Sequence, residues 1–139
     1  MDIRRLPLNE YALVQIRYLE QLAGIDRGLG AHFADELGKP PRATYLGAFN
    51  DEQELVGVAR LITATGSVVL VDMLEVRWGS NEYEDIETLL LDAANELAAE
   101  SGKTLAVIAD ADNAPQWNEL GFQKQKQSLL TFSQPEFEY

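Results

Sequence analysis

The chain contains no cysteine and only one histidine, His32, among its 139 residues. Disulfide bonds, thiolate metal sites and cysteine nucleophiles are therefore excluded, and so are sites that need several imidazoles. Long apolar runs are also missing, since none approaches the roughly 20 residues of a membrane-spanning helix, and the N-terminus lacks a signal-peptide pattern. The sequence thus predicts a cytoplasmic protein with no membrane contact and no metal site.

Basic residues are scarce as well. Eleven Lys and Arg stand against 23 Asp and Glu, which gives a formal net charge of −12. Binding to a nucleic-acid backbone needs many basic side chains to displace counterions, so no nucleic-acid partner is expected. An acidic surface attracts a cationic small molecule or a basic protein. The simpler interpretation, which we favour, is that the acids form solvated helix faces, because charge balance alone does not identify a partner.

The composition is that of an ordinary globular domain, with 46% hydrophobic and 24% charged residues. At this length we expect a single domain over residues 1–139. Apolar runs bounded by Gly, Pro, Asn and Asp predict strands at 3–8, 43–49, 54–63, 67–76, 104–110 and around 129–132. Helices are predicted after Asn9, which is a good N-cap, and at 32–37, 86–97 and 113–121. In the first helix, the residues that recur at helical spacing are Tyr11, Val14, Tyr18, Leu22 and Ile25.

The order of these elements predicts an α/β fold. Short turns between residues 43 and 76 indicate an antiparallel meander of three strands. The strand, helix and strand that follow form a right-handed crossover, which makes 104–110 parallel to 67–76. The predicted order is β-α-α-β-β-β-α-β-α-β, a mixed, mostly antiparallel sheet flanked by helices on both faces.

Two segments carry a resemblance to a known family. The segment DADNAPQWNELGF (110–122) resembles a short helix ending in Leu-Gly-Phe, and VDMLEV (71–76) leads into LLLDAANELA (89–98). Together with the element order, they resemble the GNAT superfamily of N-acetyltransferases. The resemblance implies that the fourth and fifth strands splay apart and hold acetyl-CoA in the wedge. It also implies that the backbone near Leu74 and Val76 pairs with the pantetheine arm. Arg77, Ser80 and Asn81 are further candidate cofactor contacts, although for Arg77 we favour an ion pair with one of the many nearby acids.

The stretch VRWGSNEYEDIETLL (76–90) departs from the family pattern. The family binds the CoA diphosphate with an R/Q-x-x-G-x-G/A loop, whose backbone N–H groups point at the phosphates. Here the stretch has one glycine and one arginine, and the loop glycines are replaced by Asp85 and Glu87, with Glu82 and Glu84 beside them. These carboxylates satisfy the helix N-terminus and repel a diphosphate. Whether acetyl-CoA binds is therefore left open.

The resemblance also directs attention to candidate catalytic groups. Glu75 could act through water as the general base on the amine, although a solvated strand-end carboxylate is an equal alternative. Asp72 is a weaker candidate of the same type, because it lies deeper in the strand. Tyr83 is a candidate for the acid that protonates the leaving thiolate, or it packs at the helix start. Trp117 stands where the family often has a tyrosine acid, and an indole is not a practical acid.

Two functions remain open at this point. The first is an N-acetyltransferase that moves an acyl group from acetyl-CoA to an amine, with a degenerate diphosphate loop. The alternative is a catalytically inactive binding or regulatory module that keeps the fold and does not use acetyl-CoA. A monomer and a homodimer are both compatible with the sequence.

Overall fold

The computed structural model describes residues 1–24, 28–39, 43–63, 66–77, 83–108, 114–122 and 129–131. In chain order the elements are β1 (Asp2–Arg5), α1 (Glu10–Ala23), α2 (Leu29–Glu36), β2 (Ala43–Phe49), β3 (Leu55–Ile62), β4 (Val68–Val76), α3 (Tyr83–Glu100), β5 (Thr104–Ile108), α4 (Ala114–Glu119) and β6 (Leu129–Thr131). The predicted order of strands and helices is confirmed.

One six-stranded sheet carries the strands in the order in which they occur in the chain. Neighbouring strands are antiparallel, except that β4 and β5 are parallel, from Val68 opposite Thr104 to Val71 opposite Val107. The predicted crossover through α3 is therefore confirmed. The first strand is shorter than the predicted 3–8, since β1 ends at Arg5, although the N–H of Leu6 still donates to the carbonyl of Tyr45, the next residue in the β1–β2 register, at 2.8 Å.

Helices cover both faces of the sheet and enclose two apolar layers. One layer lies under α1 and α2 and includes Leu19, Phe33 and Val58. The other lies under α3 and includes Ile86, Leu90 and Val71. None of the helices in the described ranges combines the length and the apolar character that a membrane span requires.

Helix α3 approaches the sheet closely at Gly57 of β3. A Cβ atom at Gly57 would lie 2.7 Å from Cγ2 of Ile86 and 3.1 Å from Cδ1 of Leu90. Only glycine leaves room for these two fully buried side chains. The contact fixes the rotation of α3 about its axis, with Ile86 and Leu90 facing the sheet and Asp85 exposed.

Helix α1 begins as expected but buries a different face. The side chain of Asn9 accepts a hydrogen bond from the N–H of Ala12 at 2.9 Å, so the predicted N-cap is confirmed. The residues packed on the sheet are Ala12, Ile16 and Leu19. Four residues of the stripe predicted from helical spacing are exposed, Tyr11 at 73%, Val14 at 64%, Tyr18 at 56% and Leu22 at 40%, and the fifth, Ile25, lies outside the described residues. Both stripes have helical spacing, and the small side chain of Ala12 lets the second one approach the sheet.

The orientation of α1 yields a matched pair of stability predictions. Leu19→Ala should lower the free energy of unfolding by about 2–5 kcal/mol, because it opens a cavity in a fully buried layer. Leu22→Ala, on the same helix, should cost less than about 1 kcal/mol, because much of that side chain already contacts water. Urea unfolding of both variants measures the difference. Equal losses in the two variants would contradict the observed orientation.

Candidate active site

A cleft opens where the parallel pairing of β4 and β5 ends. Among the described residues, the last pair of this ladder is Val71 with Val107, whereas β4 continues to Val76. On its other side, β4 keeps pairing with β3, but the register shifts, so that Arg60 pairs with Met73 and Leu61 with Val71. Asp72 is the extra residue of this β-bulge. The cleft beyond it measures about 310 Å³, and its lining residues are Val71, Asp72, Met73, Leu74, Val107, Ile108 and Trp117.

The main chain of β4 turns polar groups toward this cleft. The N–H of Arg77 donates to the carbonyl of Val56 on β3 at 2.9 Å. In an antiparallel pair, alternate residues direct their N–H and C=O groups to the same neighbour. The N–H and C=O groups of residues 75 and 77 therefore face β3, and those of Leu74 and Val76 point to the opposite edge, beyond the last described pair of the β4–β5 ladder. This edge can pair with an extended ligand.

A buried ionic network between α2 and the sheet holds the carboxylate of Asp72 in place. The guanidinium of Arg60 donates to Asp72, to the hydroxyl of Tyr45 at 3.0 Å, and toward Glu36 at 3.5 Å. Tyr45 in turn donates its hydroxyl hydrogen to Glu36. Arg60 and Glu36 are 8% and 7% exposed, so both charges depend on these partners. The network joins α2, β2 and β3 to the bulge of β4.

The electrostatics of the network raise the pKa of two of its members, Tyr45 and Arg60. Burial raises the pKa of Tyr45 above its usual 10.0, and the hydrogen bond to Glu36 raises it further. The phenol therefore stays protonated and keeps donating. Burial lowers the pKa of the Arg60 guanidinium, but the bonds to Tyr45 and Asp72 and the charge of Glu36 outweigh it, so that the net direction is upward. The cation is stable here because its partners surround it.

Comparisons with known proteins identify the fold. No family model and no curated protein sequence matches the chain. Among solved structures, a GNAT family acetyltransferase from Brucella melitensis in complex with acetyl-CoA is 13% identical and aligns over 95% of this chain and 86% of its own, with a TM-score of 0.71. The ribosomal-protein-S18-alanine N-acetyltransferase from Escherichia coli is 17% identical. Its alignment covers 89% of this chain and 78% of its own, with a TM-score of 0.70. The aminoglycoside 6′-N-acetyltransferase from Enterococcus faecium is 17% identical. Its alignment covers 88% of this chain and 85% of its own, with a TM-score of 0.68.

The chain has the GNAT acetyltransferase fold. The resemblance stated from the sequence is confirmed at the level of architecture. The last described pair of the β4–β5 ladder, Val71 with Val107, agrees with the splayed strands that the resemblance implied. The binding roles expected for Leu74 and Val76 stay predictions, and their main-chain direction agrees with them.

The carboxylate of Glu75 is buried and not solvated. It pairs with Val58, on the face covered by α1 and α2, and is 3% exposed. The alternative of a solvated strand-end carboxylate is therefore wrong. Its role as general base stays a prediction, but Asp72 lines the cleft and Glu75 does not appear among the described lining residues. Of the two acidic candidates on β4, the structure brings Asp72 to the cleft.

Arg77 is turned away from the start of α3. Its guanidinium lies 3.9 Å from the carboxylate of Glu54. Both line a small hollow beside Tyr18 and Leu22 of α1, on the other face of the sheet. The cofactor role predicted for Arg77 therefore finds no support in its position.

The remaining candidates are placed only in part. Ser80 and Asn81 lie outside the described residues, and Tyr83 is the first residue of α3, with its side chain outside the description. Trp117 is half-buried on α4, lines the cleft and packs edge-to-face on Phe122 with ring centroids 5.5 Å apart. His32 is exposed on α2.

Sequence reasoning missed the three residues that hold Asp72. Arg60 was the available signal, because it is the one charged residue of the otherwise apolar strand LVGVARLI. A charge in such a strand needs buried partners. Those partners, Glu36 and Tyr45, lie on other elements, and no local pattern connects them to Arg60.

The network makes a prediction about alkaline pH. Tyr45→Phe should lower stability by about 1–3 kcal/mol at neutral pH, because Glu36 and Arg60 each lose a hydrogen bond. The raised pKa of Tyr45 means that its contribution is complete below pH 10.0 and is lost as pH rises through the folded-state pKa. Wild-type stability should therefore fall above that pH, by up to about 1.4 kcal/mol per unit from this group, and the variant should lack this component.

Urea unfolding over a pH series measures the effect, and Tyr18→Phe serves as the control at an exposed tyrosine, where little change is expected. Parallel stability curves for wild type and Tyr45→Phe above pH 10.0 would contradict the proposed protonation of the network.

Proposed function

We propose that the protein is an N-acyltransferase that moves an acyl group from a pantetheine thioester, bound in the β4–β5 cleft, to an amine. The observation that carries this proposal is the end of the β4–β5 ladder, which leaves the main chain of Leu74 and Val76 facing a cleft with an anionic group, Asp72, in its wall. The fold supports it, since a structural neighbour from Brucella melitensis was solved with acetyl-CoA.

The donor would lie along β4 as an added strand. The amides of a pantetheine arm pair with main-chain N–H and C=O groups in the manner of β-strand addition. Leu74, Ile108 and Trp117 supply apolar walls for its methylene groups. Recognition of this kind needs no particular side chain on β4, so it tolerates extensive sequence change.

The acceptor would be an amine that arrives as an ammonium ion. Asp72 attracts it electrostatically, and Arg60 holds the carboxylate in place. After the ammonium loses a proton to water, its nitrogen lone pair attacks the thioester carbonyl. The C–N bond forms and the C–S bond breaks, with the electron pair leaving on sulfur. The thiolate takes a proton from solvent, and the products are an amide and a free thiol.

A second candidate is a binding module that holds a ligand without acyl transfer. Trp117 favours it, because its ring occupies the wall of the cleft and offers no proton to a leaving thiolate. The two candidates differ in one outcome: both predict that a thioester binds, and only the first predicts release of the thiol when an amine is added.

The role of Asp72 is tested by Asp72→Asn. It should lower kcat/KM for a cationic amine by about 10- to 100-fold, mainly through KM, because the anionic anchor is lost. Binding of the thioester should be unchanged. The measurement is thiol release with a panel of primary amines, and the control is Asp92→Asn on the exposed face of α3. Unchanged kinetics in Asp72→Asn would remove Asp72 from the acceptor site, and the absence of thiol release in wild type would leave the binding module.

A further inference from the structure

We infer that the acyl donor of this cleft is a pantetheine thioester without the nucleotide diphosphate of CoA. The inference rests on the proposed function and names its donor class. During transfer, the acyl carbon leaves the pantetheine sulfur for the amine nitrogen, and the pantetheine thiol is released. The protein selects against donors that carry the nucleotide diphosphate of CoA beyond the pantetheine arm.

The first observation concerns the basic residues on either side of α3 in the part of the chain that the structure describes. Between Arg77 and Lys103 the sequence has no Lys or Arg. The guanidinium of Arg77 forms an ion pair with Glu54 at 3.9 Å, on the face of the sheet that α1 covers. Lys103 follows the far end of α3 and donates to the carbonyl of Thr63 at 2.7 Å. Neither cation of this stretch is directed to the start of α3.

The second observation is that two separate elements place carboxylates around that start. Helix α3 has six acidic residues and no basic one. Its contact with Gly57 leaves Asp85 exposed. Asp85 shares the wall of a cavity of about 410 Å³ with Asp51 and Glu52 from the turn between β2 and β3, and with Met1, whose N-terminal ammonium lies 4.0 Å from the Asp51 carboxylate. Three carboxylates and one ammonium leave this cavity with a net negative charge, which repels a phosphate, and Asp85 lies in the first turn of α3, where an anion interacts favourably with the helix dipole.

The third observation is that the cleft itself is suited to an uncharged arm. Its partners for the arm are main-chain groups of β4 together with Leu74, Ile108 and Trp117. These contacts recognise amides and methylene groups, and they do not depend on the adenine nucleotide. The binding free energy therefore resides in the arm, and the nucleotide subtracts from it.

Two thioesters measure this selection in the wild-type protein. S-acetyl-pantetheine should bind at least about tenfold more tightly than acetyl-CoA at low ionic strength, because only the latter is repelled. Added salt should strengthen acetyl-CoA binding by screening the repulsion and should leave S-acetyl-pantetheine unaffected. Calorimetric titration of each ligand at several salt concentrations gives both results. Tighter binding of acetyl-CoA, weakened by salt, would overturn the inference.

A charge-matched pair of variants locates the effect. Glu84→Gln/Asp85→Asn should raise acetyl-CoA affinity at low salt by about tenfold and leave S-acetyl-pantetheine affinity unchanged. Glu96→Gln/Glu100→Gln removes the same charge from exposed positions on α3, roughly 16 Å and 22 Å from Asp85 along the helix axis, and should change neither affinity. An equal effect of both variants would overturn the local origin of the selection, and thermal unfolding shows that each variant is folded.

The design separates this inference from the function on which it rests. If neither of these thioesters nor an acetylated carrier domain binds or reacts, the proposed function fails. If both react and acetyl-CoA is preferred, the function stands and the donor class is wrong. An acetylated carrier domain with a phosphopantetheine arm is the third donor. Reaction with it alone assigns the thioester to a protein-bound source, and reaction with S-acetyl-pantetheine assigns it to a free one.

Discussion

The guanidinium of Arg60 needs partners, because it is nearly fully buried under α2 and a charge without partners there would be strongly destabilising. Its partners come from α2, β2 and β4, so one side chain ties three elements to the position where the sheet changes register. The bulge at Asp72 and the cleft beside it are therefore parts of one arrangement. The arrangement holds an acidic group at the cleft without relying on a loop.

The acids of α3 connect folding with ligand choice. A carboxylate near a helix N-terminus interacts favourably with the helix dipole, so these residues stabilise α3 without help from a ligand. The same positive end is what many proteins use to bind phosphates. A helix whose first turn carries its own anions has less to offer a diphosphate. In this chain the turn between β2 and β3 adds further acids, and the effect extends beyond one helix.

The architecture was predictable because the signals for it are local. Turns between apolar runs identify the meander, and the change from strand to helical spacing identifies the crossover. The buried face of α1 was not predictable in this way, since two apolar stripes have the same spacing. The stripe with aromatic residues is exposed, and the one that starts with Ala12 packs on the sheet. The choice depends on how closely the helix approaches the sheet, which is a tertiary property.

In the candidate site, the part that local sequence patterns could not predict is the bulge at Asp72 of β4. Val69 and Val71 face α3, and regular alternation along β4 would place residues 73 and 75 beside them. The bulge inserts one residue, so Leu74 and Val76 take the α3 side, and Met73 and Glu75 turn toward α1 and α2. A shift of one residue exchanges the faces of a strand. It buries Glu75 and leaves Asp72 at the cleft, although the sequence ranks them in the opposite order. The register shift is a property of the pairing between β3 and β4, where Arg60 of β3 bonds to Asp72. The sequence of β4 alone therefore does not predict it.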